Sequence, residues 1–509
     1  MNLRVLSIYF CALVLTSTVP AMLLAADRMV VGLTRTRSPI EAVSVAATEA
    51  GSPVLLIIGG LDGRADPVVT REVNRYAALK KRRYRLLAIE KANPDAAQLT
   101  FPPAGRAYRD NPESHYLWRW IGMEAPDLVL VVGQKDVGRQ DFGLAEALSG
   151  NTVAGVGRIP AYRVEAGRAL ESAVPKRLAK SEARIEIENR LGRTPRQVAE
   201  QLATYYGHEF SEPVYIPAMA LIGRLRLGNT ADVERLVAPF ADGSKDALAK
   251  ATSSHLAGHL VFAELAERTG DARYTALVRK AADLGFTDQG VMKGAMPLHN
   301  EMSDAVFMAC PILAKAGKLT HERKYFELAL HHLEFIQKLC LRPDGIYRHS
   351  PLDQTAWGRG NAFPALGLAL TLSDLPRSDP AFQKILSAYR SHMEALVRFQ
   401  DDSGMWRQVI DLPGSYPEFS ATAMITTAML RSIRSGWLDA GQYQPRVDKA
   451  WRALRMRISA DGRLVDVCES TGKQPSLEGY LNRLAILDQD ARGGGMALFL
   501  ATEMAGFSQ

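Results

Sequence analysis

SDAVFMACPILAKAGKLTHERKYFELALHHLEFIQKLCLRPDG, residues 303–345, reads as two apolar helical stretches, Ser303–Ala316 and Thr320–Leu341, ended by the turn Arg342-Pro-Asp-Gly345. Two such stretches in immediate succession make a helical hairpin. Upstream the same grammar gives Pro195–Tyr206, Pro213–Arg226, Thr230–Phe240, Ala247–Thr269 and Ala272–Phe286. Downstream it gives Gly360–Ser373, Pro380–Gln400, Ser420–Gly436, Tyr443–Ile458 and Gly495–Ala505. Strand signals nearly vanish over this span. The helices supply about six hairpins, which close into two concentric rings, an (α/α)6 barrel over residues 191–509. An open helical solenoid would need a self-similar repeat of about 20 to 50 residues, and the sequence shows no such motif.

The residues before the barrel follow another pattern. Short β-rich runs, Met29–Leu33, Pro53–Ile58, Tyr84–Ile89 and Pro126–Val132, alternate with longer segments such as Pro67–Arg82, which gathers Val68, Val69, Val73 and Tyr76 on one helical face. Alternation of this kind predicts an α/β domain over residues 27–190. The charged stretch Pro175–Arg190 reads as a solvated helix or linker, and places the boundary near residue 190. The expected architecture is therefore two domains, an N-terminal α/β domain followed by the all-α barrel.

Residues 1–26 carry an early Arg4, an apolar run from Val5 to Leu24, and the small residues Ala25-Ala26, which together predict a cleavable export signal and a periplasmic or secreted protein without stable membrane insertion. A membrane anchor of about 20 residues is the other reading of the same run. Cys310, Cys340 and Cys468 are too few for a disulfide framework and read as buried free thiols. With 47% hydrophobic and 23% charged residues, and 40 Gly and 26 Pro dispersed along the chain, the composition is globular. The net charge of +7 is scattered, which argues against nucleic acid and is compatible with an anionic substrate.

Chemistry concentrates in a few places. In Thr355-Ala-Trp357-Gly-Arg359-Gly-Asn361-Ala-Phe363 a guanidinium stands between glycines beside an indole, suited to gripping a carboxylate and stacking on a sugar face. A Gly-rich turn whose Trp fills the core is the plainer alternative. Asp344-Gly-Ile-Tyr347-Arg-His349 sets an imidazole in a loop, and His299-Asn-Glu-Met-Ser-Asp304 brings a carboxylate to the entrance of an apolar helix. Asp304 either has a chemical purpose there or answers the helix dipole. Glu418-Phe-Ser420-Ala-Thr422 and Asp466-Val-Cys468-Glu-Ser-Thr471-Gly472 read as two further loop-to-helix junctions.

In their order, Ser303-Asp304-x-x-Phe307-Met308, Asp344-Gly-x-Tyr347 with His349, Trp357-Gly-Arg-Gly-Asn361, Glu418-x-Ser-x-Thr-Ala-Met424, Asp466-Val-Cys468 with Thr471-Gly472, and Gly493-Gly-Gly495 closely resemble the unsaturated rhamnogalacturonyl hydrolases, glycoside hydrolase family 105, over about residues 200–505. The resemblance implies an (α/α)6-barrel enzyme that releases a 4,5-unsaturated uronic acid from the non-reducing end of lyase-generated, pectic oligosaccharides by hydrating the double bond, with no cofactor or metal. It also implies Asp304 as acid/base and His299, His349, Trp357, Arg359 and Asn361 as substrate contacts. Where the family often carries a second Asp on the preceding inner helix, this sequence has His255 and His259. A non-catalytic carbohydrate-binding protein, or a barrel epimerase or lyase, are the rival expectations. Residues 29–170 faintly resemble the zinc carboxypeptidases, but Asp62 and Ala65 stand where those enzymes place a His and a Glu, so no bound zinc is expected.

Overall fold

The computed structural model describes residues 26–133, 142–165 and 173–507. The expected export signal, apart from its last residue, lies outside them. The first layer is a six-stranded sheet of β1 (Ala26–Leu33), β2 (Pro39–Val45), β3 (Val54–Ile58), β4 (Arg85–Ile89), β5 (Leu128–Gly133) and β6 (Ala161–Glu165), in the order β1-β2-β4-β3-β5-β6. Strands β4, β3, β5 and β6 run parallel, while β2 joins β1 and β4 antiparallel. The runs VLLII in β3 and LVLVV in β5 are buried throughout, as strands covered on both faces must be. Helix α1 (Pro67–Ala77) covers one face through Val69, Val73 and Tyr76. On the other face Leu56, Ile58, Val129 and Val131, with α2 (Pro112–Glu124) and α3 (Leu144–Gly150), join a hydrophobic core that continues into the helical half.

The charged stretch read as a solvated helix or linker contains α4 (Glu182–Gly192), which is buried at Ala183, Ile187 and Arg190. Ala183 and Ile187 enter the shared core, and the buried Arg190 donates from Nη2 to Gly155 O (2.7 Å) and from Nη1 to Met456 O (2.9 Å). A segment rich in charge thus fastens sheet to helices, because its arginine reaches backbone carbonyls on both sides.

Beyond it come α5 (Pro195–Tyr205), α6 (Tyr215–Arg226), α7 (Thr230–Ala241), α8 (Ser253–Gly258), α9 (Leu260–Thr269), α10 (Ala272–Asp283), α11 (Ala305–Thr320), α12 (Lys324–Cys340), α13 (Gly358–Asp374), α14 (Pro380–Val397), α15 (Phe419–Arg434), α16 (Ala440–Met456), α17 (Leu477–Leu481) and α18 (Ala491–Met504). Contacts run from α6 through α8–α9, α11, α13 and α15 to α18 and back to α6, closing an inner ring, with α5, α7, α10, α12, α14 and α16 outside it. The inner helices are apolar nearly all round, as doubly covered helices are. Helices α11 and α13 approach closely at Gly367, where an added Cβ would sit 2.7 Å from Phe307 Cα.

Two departures from the sequence reading bear on the site. The helix expected over Ala247–Thr269 begins at Ser253 and breaks at His259. Leu464–Cys468 is a buried strand, β7, and not a loop-to-helix junction; it pairs antiparallel with β8 (Ala485–Asp488). Cys310, Cys340 and Cys468 are free and buried. Among the described residues no helix is long and apolar enough to cross a membrane.

Burial pushes His115, His259 and His332 down to about 4. An unfolded chain binds protons at such residues from about pH 6.5 downward, whereas the folded chain resists them until about pH 4. Their contribution is therefore full above the unfolded value and is lost progressively toward the folded one. The melting temperature is expected to fall steeply between those two values. A flat profile across that window would contradict neutral burial of the three rings.

Candidate active site

Asp304 stands immediately before α11 and is 7% exposed. Its carboxylate makes no capping bond to the helix, so the residue does not serve as a side-chain cap. Its Oδ1 has no hydrogen-bond partner in the protein and lies 3.4 Å from His349 Nε2, which has none either. The backbone fixes this pair: Ser303 N donates to His349 O (2.9 Å), and His349 N donates to Thr355 O (3.1 Å). Gly360 makes room for it, since a Cβ there would lie 3.0 Å from Ser303 Oγ and 3.4 Å from His349 Cδ2.

On the other side of the imidazole, His349 Nδ1 is 3.0 Å from Tyr480 Oη. That hydroxyl accepts from Gln474 N (3.1 Å), which leaves its own proton for Nδ1. Burial, opposed by the Gln474 N–H and reinforced by Asp304, pushes the Tyr480 phenol up to about 12, so it remains a donor at neutral pH. The tautomer that follows carries its proton on Nε2, facing Asp304. The Trp357 ring lies 4.5 Å from the imidazole and is 1% exposed. Tyr215, at the start of α6, has its phenol pushed up to about 12 by burial, with Arg359 opposing and Asp304 adding to the shift.

Two expected substrate contacts have other employment. Arg359 donates from Nη1 to Cys468 O (2.6 Å) and Ser420 Oγ (3.3 Å) and from Nη2 to Glu469 O (2.7 Å). Its plane lies beside the Trp357 ring, with Cζ 4.7 Å from the centroid. Nη1 is thus engaged by Ser420 and the end of β7 and Nη2 by Glu469 O, while Nε has no partner in the protein. Asn361 accepts at Oδ1 from Tyr347 N (2.7 Å) and donates from Nδ2 to Tyr347 O (2.8 Å) and Trp357 O (3.1 Å), so its amide braces the loop. His299 is half-buried on the preceding loop; its Nδ1 accepts from Glu301 N (2.9 Å) and its ring meets Phe335 (4.9 Å), neither of which belongs to the Asp304–His349 pair.

Glu418 caps α15 and holds β7 as well. Its Oε1 accepts from Ser420 Oγ (2.8 Å) and Cys468 N (2.9 Å). His255 Nδ1 caps Thr252, and His259 Nδ1 lies 2.7 Å from His255 O, so both histidines are tied into the break between α8 and α9. In the turn between β3 and α1, Asp62 pairs with Arg64 (2.6 Å) and Ala65 is exposed. Among the described residues no group of three or more His, Cys, Asp or Glu is placed to hold a metal ion.

Ser303 Oγ, Asp304 Oδ1, His349 Nε2, Trp357 Nε1, Arg359 Nε and Thr471 Oγ1 are buried polar atoms without a hydrogen-bond partner in the protein. Leaving one such atom unsatisfied costs about 1–3 kcal/mol. Ser303 Oγ, Asp304 Oδ1 and Trp357 Nε1 belong to residues that adjoin the His349 imidazole, a grouping that suits a polar ligand.

The profile of Glycosyl Hydrolase Family 88 matches residues 231–507, and the chain belongs to that family. It is similar to the unsaturated rhamnogalacturonyl hydrolase YesR of Bacillus subtilis, 31% identical over 186 residues, 35% of this chain and 52% of that protein. It is also similar to an unsaturated 3S-rhamnoglycuronyl hydrolase of an Alteromonas species, 27% identical over 214 residues, 40% of this chain and 50% of the other. The chain spans about half the length of these curated relatives. Among solved structures, a possible GH105 member from Salmonella enterica aligns with TM-score 0.53 at 21% identity, covering 66% of this chain and 97% of that one. A possible GH105 member from Klebsiella pneumoniae aligns with TM-score 0.52 at 24% identity, covering 66% and 96%. Both share the fold.

Proposed function

We propose that the protein hydrates the double bond of a 4,5-unsaturated uronic acid at the non-reducing end of lyase-generated, pectic oligosaccharides and so releases that sugar. The observation that carries this reading is the buried Asp304–His349 pair, both of whose facing atoms lack other partners. Family membership and the names of the relatives supply the substrate class. In the vinyl ether of such a sugar the nucleophilic carbon is C4. Asp304 gives its proton there, water adds to the oxocarbenium at C5, and the proton of that water returns to the carboxylate. The hemiketal then opens and the aglycone sugar leaves. The Nε2–H of His349 steadies the carboxylate after its proton has gone, and the Trp357 ring forms the wall behind that imidazole.

Incubation with lyase-generated pectic disaccharides is expected to bleach the ultraviolet band of the double bond. Undiminished absorbance with every unsaturated uronide tried, galacturonyl or glucuronyl, would end the hydrolase reading. Calorimetric binding without bleaching would then favour a carbohydrate-binding protein, and new absorbance or isomeric products a lyase or an epimerase.

A further inference from the structure

The connector 469–484 runs from β7 to β8 and carries Tyr480 onto His349, and both of its ends are gripped from the sheet layer. At the entry Asp466 occupies the bulge of β7 with φ +68, a conformation that non-glycine residues adopt sparingly. Its Oδ1 accepts from Tyr108 Oη (3.0 Å) and from the Arg119 guanidinium. Nη2 of the same guanidinium donates to Ala485 O (3.0 Å) at the start of β8, so one arginine spans the neck of the hairpin. Arg106 Nη2 donates to Glu469 Oε1 (2.6 Å), the oxygen that also accepts from Leu484 N (2.9 Å). The Tyr108 ring stacks on Tyr416 at 4.7 Å, two residues before Glu418, whose carboxylate receives Cys468 N.

The side chains of Arg119 and Asp466 are 9% and 3% exposed. A buried ion pair contributes little net stability compared with apolar replacements, and its best-attested use is to fix one arrangement over others. Here the arrangement fixed is the neck from which the segment bearing Tyr480 extends, and Tyr480 O itself accepts from Gln408 Nε2 (3.2 Å). We propose that Arg119, Tyr108 and Arg106 of the sheet layer are positioning residues for the active site, holding the connector so that Tyr480 keeps His349 in the tautomer that faces Asp304. The sheet is then a working part of the barrel's chemistry. This inference rests on the hydrolase reading for its kinetic consequence, though not for its structural one.

The full-length chain is tested with Tyr108→Phe, which removes one hydrogen bond and leaves the ring, alongside Tyr480→Phe and the double variant. Hydrogen exchange without substrate should show residues 464–488 of Tyr108→Phe opening faster while the rest of the chain and the melting temperature stay near the parent. Turnover on an unsaturated pectic disaccharide should fall about five- to tenfold with KM little changed, as for a group acting through transition-state geometry. Because both tyrosines act through one imidazole, the double variant should lose no more turnover than Tyr480→Phe alone. Losses that multiply, or unaltered exchange at 464–488 in both Tyr108→Phe and Arg106→Gln, would overturn the proposal. Should the parent chain bleach no unsaturated uronide, the hydrolase reading fails by itself, and the exchange measurement still decides whether the sheet holds the neck.

Discussion

Asp304→Asn is expected to lower turnover on an unsaturated uronide by about 10²-fold or more, the scale of a lost general acid/base. The amide keeps size and shape but has no proton to give to C4 and no basic oxygen to recover one from water. Stability should hardly move: the carboxylate makes no capping bond to α11, and the dipole attraction that remains contributes about 0.3–1 kcal/mol. Substrate binding should persist. Turnover number and melting temperature measured on this one variant decide the matter, since near-normal turnover per folded molecule would remove Asp304 from the chemistry altogether.

Arg359→Met should act in the opposite way. Each charge-assisted hydrogen bond contributes about 1.5–3 kcal/mol, and this guanidinium supplies two short ones, to Cys468 O and Glu469 O. Methionine fills the space beside Trp357 and leaves both carbonyls without their donor. A loss of about 3–5 kcal/mol follows, with a fall in melting temperature of about 3–5 °C for a chain of 509 residues. Read from sequence, the same arginine is a grip for the substrate carboxylate, and its removal would raise KM and spare stability. A rise in KM with an unchanged melting temperature would restore that reading and refute the buttress seen in the structure.

These two residues show how far sequence reasoning reaches. The motifs brought Asp304, His349 and Trp357 to one place because residue type and order survive in the linear text. What Arg359 and Asn361 touch is not written there: a fork aimed at a ligand and a fork aimed at backbone carbonyls need the same arginine between the same glycines. Tyr480 went unnoticed because it lies in a polar connector without periodicity, and its importance comes from a contact with a residue far earlier in the chain. The fold divides in the same way. Strands β3 and β5 are continuous apolar runs and were legible. Strand β6, AYRVE, sits at the sheet edge with Tyr162 and Arg163 outward, and β2 mixes Glu41 and Ser44 into its run, so neither carries a strong pattern. Strands β7 and β8 are short and meet only by closing a long connector. The long helices of the barrel are plain in the sequence, since each apolar face announces itself locally, whereas the break at His259 and the short α17 carry no such signal.

The buried helix at the expected domain boundary changes what counts as a unit of inheritance. Ile187 and Ala183 belong to the same core as the strands before them and the helices after them, and Arg190 is bonded to Gly155 in the turn before β6 and to Met456 at the end of α16. A cut near residue 190 would pass through shared packing, so recombination could not lend this barrel to another chain, or exchange its sheet, without rebuilding the seam. Over evolutionary time the two layers must therefore vary together: a substitution at Ile187 or Arg190 is answerable to neighbours on either side. Sequence drift in the sheet is constrained by the barrel beneath it even where no catalytic group is near.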